Sequence, residues 1–443
     1  MRARSLAFLL ISLVLFLMLA SCGGNGGGDD DTGMPPIDDD AGEDDDAAGD
    51  DDIADDDTTI DDDTADDDSA ADDDSAANYW IEDGKKWLRA AEGDKARLSF
   101  LKALEIVPDH PEGLYGMVLA NTVHNMDVLS IVWDYLLSFF ENGGPVNRGD
   151  SSEGVIDWLI STILSAFLND RCEELFHYAD LVHQLENPTF LIDAIPIIIA
   201  WTNYGTMGGE FDESDVYAME SYSYLFDGLT RHLFVVDLNF DMSLAFALQD
   251  VFNIPDPSEM MSALVVALKN LVDDPHYPNF LVIDENGFED LRLAGFRMGN
   301  GFDKMLKTFA SVEAETDPQN DDVIAYVDKN GNGKYDDGEP FVIPTFGELD
   351  ADQMAVLQAV LGIAEGLRNS FWDGTDNDVD PNNPNPFSMD LLNNLLQALG
   401  WPRILPGWLT IDIGSIYRTN DPYAIKNTVN LVLNILGLIF PAS

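Results

Sequence analysis

Residues 79–108 read YWIEDGKKWLRAAEGDKARLSFLKALEIVP, and they predict two helices that pack against each other. Small residues recur at helical spacing and allow two helix backbones to approach closely, while large aromatic residues fill the space between them. Gly93 and Asp94 supply a turn. Pro108 ends the second helix, because proline does not continue a helical hydrogen-bond pattern. The folded body is therefore predicted to begin with an antiparallel helical hairpin.

The spacing of these residues resembles that of the tetratricopeptide repeat, a helix-turn-helix unit of about 34 residues. The residues that carry the resemblance are Trp80, Gly84, Trp87, Ala96, Phe100, Ala103 and Pro108. Asp83 departs from the family, which usually has leucine at that position. A second unit opens at Pro111, but Asn121 and Ser130 stand where the family has an aromatic and a small residue. Because one repeat cannot bury its own apolar face, the resemblance implies that the hairpin stacks on the helices that follow.

Apolar residues recur at helical spacing through much of the remaining chain, and strand signals are sparse. Helices are predicted at residues 156–167 and 257–272, and near 173–186, 213–233, 288–312, 350–370, 388–399 and 424–438. The last helix is apolar enough to suggest a membrane span, but its polar face consists of Lys426, Asn427, Asn430 and Asn434. We therefore expect a packed terminal helix.

The N-terminus has the composition of a secretory signal, with two arginines before an uncharged apolar run at residues 5–21. The run is short for a membrane helix and ends in LASC at residues 19–22. This ending resembles the lipobox of bacterial lipoproteins, which implies that residues 1–21 are removed and that Cys22 is lipidated. Gly23, rather than aspartate, follows the cysteine and favours the outer membrane or the cell surface in that family. We therefore expect a protein of the cell envelope that is attached to a membrane through lipid.

The segment 22–77 continues from that cysteine with glycines and repeated Asp triplets. Residues 23–77 hold 25 acidic residues and no basic residue, which leaves 57 acidic and 20 basic residues from Asn78 onward. A segment with so little apolar surface is expected to be a disordered stalk. The alternative is a low-affinity sink for divalent cations or for a partner's basic patch. The net charge of −60 excludes a nucleic-acid binder, because such a protein needs clustered lysine and arginine.

Residues 328–339, DKNGNGKYDDGE, satisfy every specified position of the calcium-loop pattern D-x-[DN]-x-[DN]-G-x5-E. Calcium takes about six to eight oxygen ligands, and alternate side chains in such a loop point inwards. The pattern resembles the loop of the EF-hand family. The resemblance implies these ligands: Asp328, Asn330, Asn332, the Lys334 carbonyl, Asp336 and Glu339. Gly333 permits the sharp turn between them.

The flanks of this loop depart from the EF-hand family. Residues 323–327 alternate like a strand, and Pro340 removes the helix that would leave the loop. The loop therefore resembles those of bacterial surface proteins, and it is expected to lie in a small β-hairpin-like insertion over residues 321–345. We expect a structural staple for extracellular calcium, and the alternative is an acidic Asn-Gly turn that mimics the pattern. A second acidic cluster at residues 373–380 has the D-x-D-x-D spacing but lacks the glycine and the closing glutamate. It is predicted to be a solvated loop, and the alternative is a metal site.

The predicted fold class is all-α, or α-rich. It has tetratricopeptide-like helices at residues 78–141, an irregular helical body at 142–320 and a C-terminal helical region at 346–443. The sequence contains no H-E-x-x-H, G-x-S-x-G or complete phosphate-loop motif, so no enzyme is predicted. Neighbouring side chains of one helix, Cys172, Glu173 and His177, are interpreted as an incidental grouping rather than a metal or nucleophile site.

Two functions agree with these features. The first is binding of a protein or peptide partner through the tetratricopeptide-like surface. The second is an α-helical solute- or lipid-binding lipoprotein accessory to a transporter, similar to the repeat-containing lipoprotein partners of TRAP transporters. A cavity lined by Met260, Met261 and the aromatic residues of 217–224 favours the second, whereas the same residues as core filling do not. The sequence does not predict an oligomeric state.

Overall fold

The computed structural model of the chain describes residues 69–141, 171–199, 202–240, 257–314, 351–371, 386–400 and 407–439, with a few single residues between these ranges. Within them lie eleven helices and two small antiparallel sheets, so the predicted α-rich fold class is confirmed. The lipobox, the acidic residues 23–68, the calcium loop and the acidic cluster at 373–380 lie outside the described residues.

The helices are α1 (Ser69–Arg89), α2 (Gly93–Ile106), α3 (Pro111–Glu141), α4 (Arg171–Val182), α5 (Glu213–Val235), α6 (Pro257–Val272), α7 (Phe288–Ala314), α8 (Ala351–Phe371), α9 (Met389–Ala398), α10 (Ile413–Arg418) and α11 (Ala424–Ile439). The strands are β1 (Phe190–Ile199), β2 (Thr202–Phe211), β3 (Phe387–Ser388) and β4 (Thr410–Ile411). Strand β1 pairs with β2, and β3 pairs with β4.

Helix α1 begins at Ser69, inside the segment 22–77 that was expected to be a stalk. The boundary predicted at Asn78 is therefore later than the observed start of the helix. Two alanines and three aspartates occupy the first turns of α1 at residues 70–74. Alanine is the strongest helix former, and acidic residues are favoured near a helix N-terminus, so the end of the acidic segment is itself compatible with a helix.

Helices α1 and α2 form the predicted helical hairpin. Ala96 and Ala103 of α2 are fully buried, in agreement with the close approach expected of small residues. The buried ring of Phe100 lies between Gly84 of α1 and Gly116 of α3, so three helices meet at one side chain. The hairpin is thus present, while its membership of the tetratricopeptide family stays a prediction.

Helix α3 starts at Pro111, where the second unit was expected, and runs to Glu141 as one helix. Asn121, which departs from the repeat pattern, is buried and donates a hydrogen bond from Nδ2 to the Met117 carbonyl oxygen at 3.0 Å. Helix α3 packs against α1, α2, α4 and β1. The chain therefore stacks a single long helix, rather than a second helix-turn-helix unit, on the first hairpin.

The β1–β2 hairpin lies within residues 142–320, which were predicted as an irregular helical body without strands of their own. Strand β1 reads FLIDAIPIII, and its isoleucines favour a strand, but a short apolar run of this kind does not distinguish a strand from a buried helix segment. Gly208 of β2 faces the Asp193 carbonyl oxygen at a distance that leaves no room for a side chain. The strand pairing thus depends on the close contact of Gly208 with Asp193, which lies 15 residues earlier in the sequence.

Helix α5 begins with a capping box. The Asp212 side chain accepts a hydrogen bond from the Ser214 backbone N–H at 2.7 Å, and Asp215 accepts one from the Asp212 backbone N–H at 3.1 Å. Helix α5 packs along α7, where Gly228 and Gly301 bring the two backbones close together. These two helices connect α3 and α4 on one side with α8 and α10 on the other.

The terminal helix α11 packs against α6 and buries Leu433 in a cluster with Leu264. Lys269 Nζ donates a hydrogen bond to Asn434 Oδ1 at 2.5 Å, on the polar face of α11. The expected packing of this helix is confirmed. Across the described ranges, no helix combines the length and the apolar composition that a membrane crossing requires.

Candidate binding surface

The sites predicted from sequence do not fall on described residues. Cys22 lies in residues 1–68, and the six calcium ligands Asp328, Asn330, Asn332, Lys334, Asp336 and Glu339 lie in residues 315–350. Among the residues that the structure describes, no group of three or more His, Cys, Asp or Glu side chains is arranged to hold a metal ion. Lipidation and calcium binding therefore remain predictions.

The outer side of the α1–α2 hairpin carries a surface in which lysines lie over tryptophan rings. We call it the Trp-Lys strip, and it consists of Trp80, Lys86, Trp87, Lys95 and Lys102. Lys102 Nζ lies 3.9 Å from the centroid of the Trp80 ring. Lys86 Nζ and Lys95 Nζ each lie 4.7 Å from the centroid of the Trp87 ring. Exposed cation–π contacts of this kind contribute about 0.5–1 kcal/mol each.

Asp83 orients Trp87, one of the two tryptophans of the Trp-Lys strip. Trp87 Nε1 donates a hydrogen bond to Asp83 Oδ2 at 3.1 Å, and Ser99 Oγ donates one to the same oxygen at 2.6 Å. The carboxylate therefore orients one tryptophan of α1 and ties it to α2. This contact gives a physical reason for aspartate at the position where the tetratricopeptide family usually has leucine.

Two lysines of the Trp-Lys strip carry charge that no described carboxylate neutralises. Lys95 pairs with Glu92 at 3.1 Å, but neither Lys86 nor Lys102 has an ion pair within the described ranges, and both side chains are exposed. Leu98 lies between Lys95 and Lys102 in the sequence of α2 and is 56% exposed. In a body with 57 acidic and 20 basic residues, this is a basic and aromatic surface on an otherwise acidic protein.

The groove between α1 and α3 is filled by the protein itself. Phe190 of β1 stacks on Tyr115 of α3 with 5.6 Å between ring centroids, and Lys85 Nζ lies 5.0 Å from the centroid of the Phe190 ring. Arg89 Nε pairs with Asp193 Oδ1 of β1 at 2.5 Å. A peptide has no access to this groove while the β-hairpin occupies it. The Trp-Lys strip is on the side of the hairpin that these contacts leave uncovered.

A buried charge network joins α5 to α7. Glu220 is fully buried, and its Oε2 lies 2.7 Å from Lys304 Nζ and 2.8 Å from His183 Nε2. His183 Nδ1 lies 3.2 Å from Glu213 Oε1, and the imidazole stacks on Tyr217. Glu220 Oε1 is buried and accepts no hydrogen bond from any described residue.

A second buried acid–base pair, Asp227 with Arg297, lies two turns away on the same two helices, α5 and α7. Asp227 is fully buried, with Oδ1 2.9 Å from Arg231 Nε and Oδ2 3.0 Å from Arg297 Nε. Burial raises the pKa of Asp227, although both guanidinium groups oppose this change. Glu220 pairs with Lys304 and Asp227 with Arg297, so acids seven residues apart on α5 meet bases seven residues apart on α7. Buried pairs of this type fix which helices pack and in which register.

Cys172 lies close to this charge network but is not activated as a nucleophile. Cys172 is buried beneath it, and desolvation raises the pKa of the thiol to about 12, with Asp227 acting in the same direction. The thiol is therefore protonated at neutral pH and inert as a nucleophile. His177 is exposed, and Glu173 pairs with Arg297 rather than with His177. These positions agree with the interpretation of the three residues as an incidental grouping.

The residues considered as cavity lining pack in the core. Met260 and Met261 are partly buried against a cluster that contains Leu264 and Phe280. Tyr224 stacks on Phe176 with 3.7 Å between ring centroids. These contacts match core filling.

Sequence reasoning missed both the Trp-Lys strip and the charge network, although each has a signal. Trp80 and Trp87, like Lys95 and Lys102, are seven residues apart and so recur on one helix face. The same spacing separates the two acids of α5 and the two bases of α7. The sequence does not reveal which helices are neighbours. The neighbouring helices decide whether residues with this spacing are buried or exposed.

No protein-family model, curated protein or solved structure matches this chain. Function is therefore inferred from the geometry of the described residues together with the sequence motifs.

Proposed function

We propose that this protein is an envelope-anchored, calcium-stabilised helical lipoprotein that binds a protein or peptide partner through the Trp-Lys strip of its tetratricopeptide-like hairpin. The observation that supports the binding role is the exposed pairing of lysines with tryptophan rings on α1 and α2. Tryptophan gives a large contact area for little loss of side-chain entropy, and it is enriched among residues that dominate binding energy.

The chemistry of the Trp-Lys strip favours a partner segment with carboxylates. Lys86 and Lys102 have charge available for an incoming anion, and the rings beneath them offer apolar area to the rest of that segment. Trp80 and Trp87 lie on one helix at a rise of about 1.5 Å per residue, which separates them by about 10 Å. A segment of three or four extended residues spans that distance, at about 3.3 Å per residue.

The Trp-Lys strip is organised before any partner arrives. The Asp83 carboxylate holds Trp87, and Phe100 packs the two helices together from the opposite side. A surface built on packed helices loses less conformational freedom on binding than a loop does. This rigidity supports a binding role more than a role as an incidental solvated face.

The lipid anchor and the calcium loop are proposed from sequence patterns alone, at residues 19–22 and 328–339. A lipidated Cys22 keeps the body near a membrane, since each buried methylene of an acyl chain contributes about 0.8 kcal/mol. The calcium loop at residues 328–339 is assigned a structural role because it is a single loop without the helices that a paired EF-hand uses to change shape.

The proposal is tested by titrating the full chain into a fluorescein-labelled octaglutamate peptide at low salt and following the anisotropy. The double variant Lys86→Ala/Lys102→Ala is expected to weaken binding about fivefold, because two exposed ion pairs contribute roughly 0.5 kcal/mol each. The matched control is Lys269→Ala/Lys307→Ala, which removes the same charge from exposed lysines that already have carboxylate partners. The control is expected to bind like the unchanged protein, and equal weakening in both double variants contradicts a role for the Trp-Lys strip.

A further inference from the structure

We infer that the protein's own acidic segment, residues 23–68, occupies the Trp-Lys strip when no partner is bound. If the Trp-Lys strip binds a partner, the segment competes with that partner, and this part of the inference rests on the proposed function. The contact itself does not, because it follows from where the segment ends and from the charges on the two surfaces.

The connection between the two parts makes the contact easy to form. The acidic segment ends at Asp68, and α1 begins at the next residue, so Trp80 lies about 16 Å further along the same helix at 1.5 Å per residue. The 46 residues of the segment exceed that distance many times over at about 3.3 Å per extended residue. A tethered group with this reach has an effective concentration of about 1 mM or more, so even a weak site is populated.

The charges of the two surfaces are complementary. Residues 23–68 contain 22 acidic residues and no basic residue, and four of their Asp triplets lie at 50–52, 55–57, 61–63 and 66–68. Two earlier triplets, 50–52 and 55–57, together span about 26 Å when extended, which exceeds the distance of about 10 Å between the two tryptophans of the strip. One stretch of the segment can therefore contact Lys86 and Lys102 at the same time.

Most cations elsewhere on the described surface already have carboxylate partners. The exposed lysines Lys269 and Lys307 already lie near Asp273 and Asp303. Arg89 is held by Asp193 of β1. Because the body is acidic as a whole, it repels an acidic segment except where positive charge is left unpaired. Arg292 and Lys426 also lack an ion pair among the described residues, but each donates a hydrogen bond to a neutral oxygen, of Asn420 and of Pro278. The strip differs in that its two unpaired lysines, Lys86 and Lys102, lie over neighbouring tryptophan rings of one helix.

The contact is tested by treating the full chain with a water-soluble carbodiimide, which joins a lysine Nζ to a carboxylate only where the two touch. Mapping by mass spectrometry is expected to find Lys86 and Lys102 joined to aspartates of residues 23–68, within single chains. Their yield is expected to exceed the yield at Lys269 and Lys307 by about threefold or more, because these two lysines already lie near carboxylates of the folded body. The excess is expected to disappear at about 1 M salt, where the Debye length is about 3 Å.

A variant of the segment supplies an independent readout. Replacing Asp55–57, Asp61–63 and Asp66–68 with asparagine removes the charges and keeps the chain length. This variant is expected to bind the octaglutamate probe about threefold more tightly than the unchanged chain, since a tethered competitor is lost. The aspartates of the segment, and no part of the folded core, are changed, so folding is not at issue in the comparison.

Each outcome has a defined consequence. Equal cross-linking at all four lysines, or cross-links that form only between two chains, overturns the inference. If cross-links at the Trp-Lys strip are absent while Lys86→Ala/Lys102→Ala still weakens probe binding, the inference fails and the proposed function stands. If the cross-links form but no lysine variant affects the probe, the contact stands and the proposed function fails.

Discussion

Gly84 of α1 touches the ring of Phe100 so closely that a Cβ atom at position 84 would lie 2.6 Å from the ring carbon Cε1. Real Cβ atoms do not come this near to a ring carbon. Phe100 is fully buried and faces Gly116 of α3 on another side, so it has no empty space to move into. The contact therefore sets the distance between the first three helices.

We expect Gly84→Ala to lower the free energy of unfolding by about 1–3 kcal/mol, the usual cost of overpacking a filled site. The matched control is Gly362→Ala in α8, where an added Cβ meets nothing closer than Leu391 Cδ2 at 3.8 Å. Alanine is a better helix former than glycine by about 1 kcal/mol, so the control is expected to be stabilised. Urea unfolding of both variants measures the difference, and a stabilised Gly84→Ala protein would show that the helices are further apart than described.

The buried pair of Glu220 and Lys304 leads to a second prediction. Lys304→Met removes one partner of a carboxylate that is fully buried, and the loss of such a partner costs about 3–5 kcal/mol. The control Lys307→Met breaks a pair with Asp303 in which the lysine is 51% exposed, and its cost is expected to stay below about 1 kcal/mol. Adding Glu220→Gln to Lys304→Met is expected to restore part of the stability. Similar unfolding midpoints for the two lysine variants argue against a buried pair.

His232 is expected to make the fold sensitive to acid. Its Nδ1 atom is buried beside Tyr417 without a hydrogen-bond partner in the described ranges, and burial lowers the pKa of the imidazole from 6.5 to about 4. The unfolded chain binds this proton near pH 6.5, whereas the folded protein binds it only near pH 4. Stability present above pH 6.5 is therefore lost as the pH falls towards 4, by up to about 3 kcal/mol at 1.36 kcal/mol per pKa unit.

The measurement is thermal unfolding between pH 7.5 and 4.5 for the unchanged protein, for His232→Phe and for the exposed-residue control His177→Phe. Carboxylates titrate in the same range in all three proteins, so the contribution of His232 is the difference between the curves. We expect His232→Phe to lose less stability on acidification than the other two. Three parallel curves would assign the acid sensitivity to other groups.

Much of the helical framework was predictable because its helices are amphipathic and carry local end signals. The helix expected near 213–233 is α5 (Glu213–Val235), which begins at the Asp212 capping box, and the one expected near 288–312 is α7 (Phe288–Ala314). Strands β1 and β2 were not predicted, because their pairing depends on contacts such as Gly208 with Asp193 that periodicity does not contain. Local signals place elements along the chain, whereas tertiary contacts decide their partners.

The candidate surface was predictable only in part for the same reason. The aromatic positions Trp80 and Trp87 were identified from the repeat spacing, as residues that fill the space between two helices. The structure packs both against a buried cluster that includes Phe100 and Tyr115 but leaves them partly exposed beneath lysines of α1 and α2. The orientation of Trp87 depends on Asp83, which the sequence identified only as a departure from the family.

Lipidation gives a prediction that does not depend on the fold. If the ending LASC is a lipobox, Cys22→Ala leaves the precursor unprocessed by the lipoprotein pathway and abolishes incorporation of labelled fatty acid. Cys172→Ala is the control, since the buried thiol of Cys172 is the other cysteine of the chain. Metabolic labelling of both variants in a bacterial host decides the matter, and lipid incorporation that persists in Cys22→Ala refutes the assignment.

Calcium is expected to stabilise the protein through the loop at residues 328–339. A ligand that binds only the native state raises the free energy of unfolding by RT ln(1 + [L]/Kd), which is about 2.7 kcal/mol at 100 times Kd. Glu339 stands at the last position of the loop, where a carboxylate supplies two oxygens to the ion. Glu339→Gln is therefore expected to abolish most of the rise in melting temperature that millimolar calcium produces.

Asp337→Asn is the matched control for this prediction. It removes the same charge two residues away, at a loop position whose side chain points outwards in the calcium-binding register. The acidic residues 23–68 can also attract calcium loosely, but they are identical in both variants, so the difference between the two melting curves reports the loop alone. Calorimetry of the full chain with calcium and with a chelator is expected to show a large shift for Asp337→Asn and a small one for Glu339→Gln. If both variants shift equally, the stabilisation comes from general charge neutralisation, and the loop is an acidic turn rather than a calcium site.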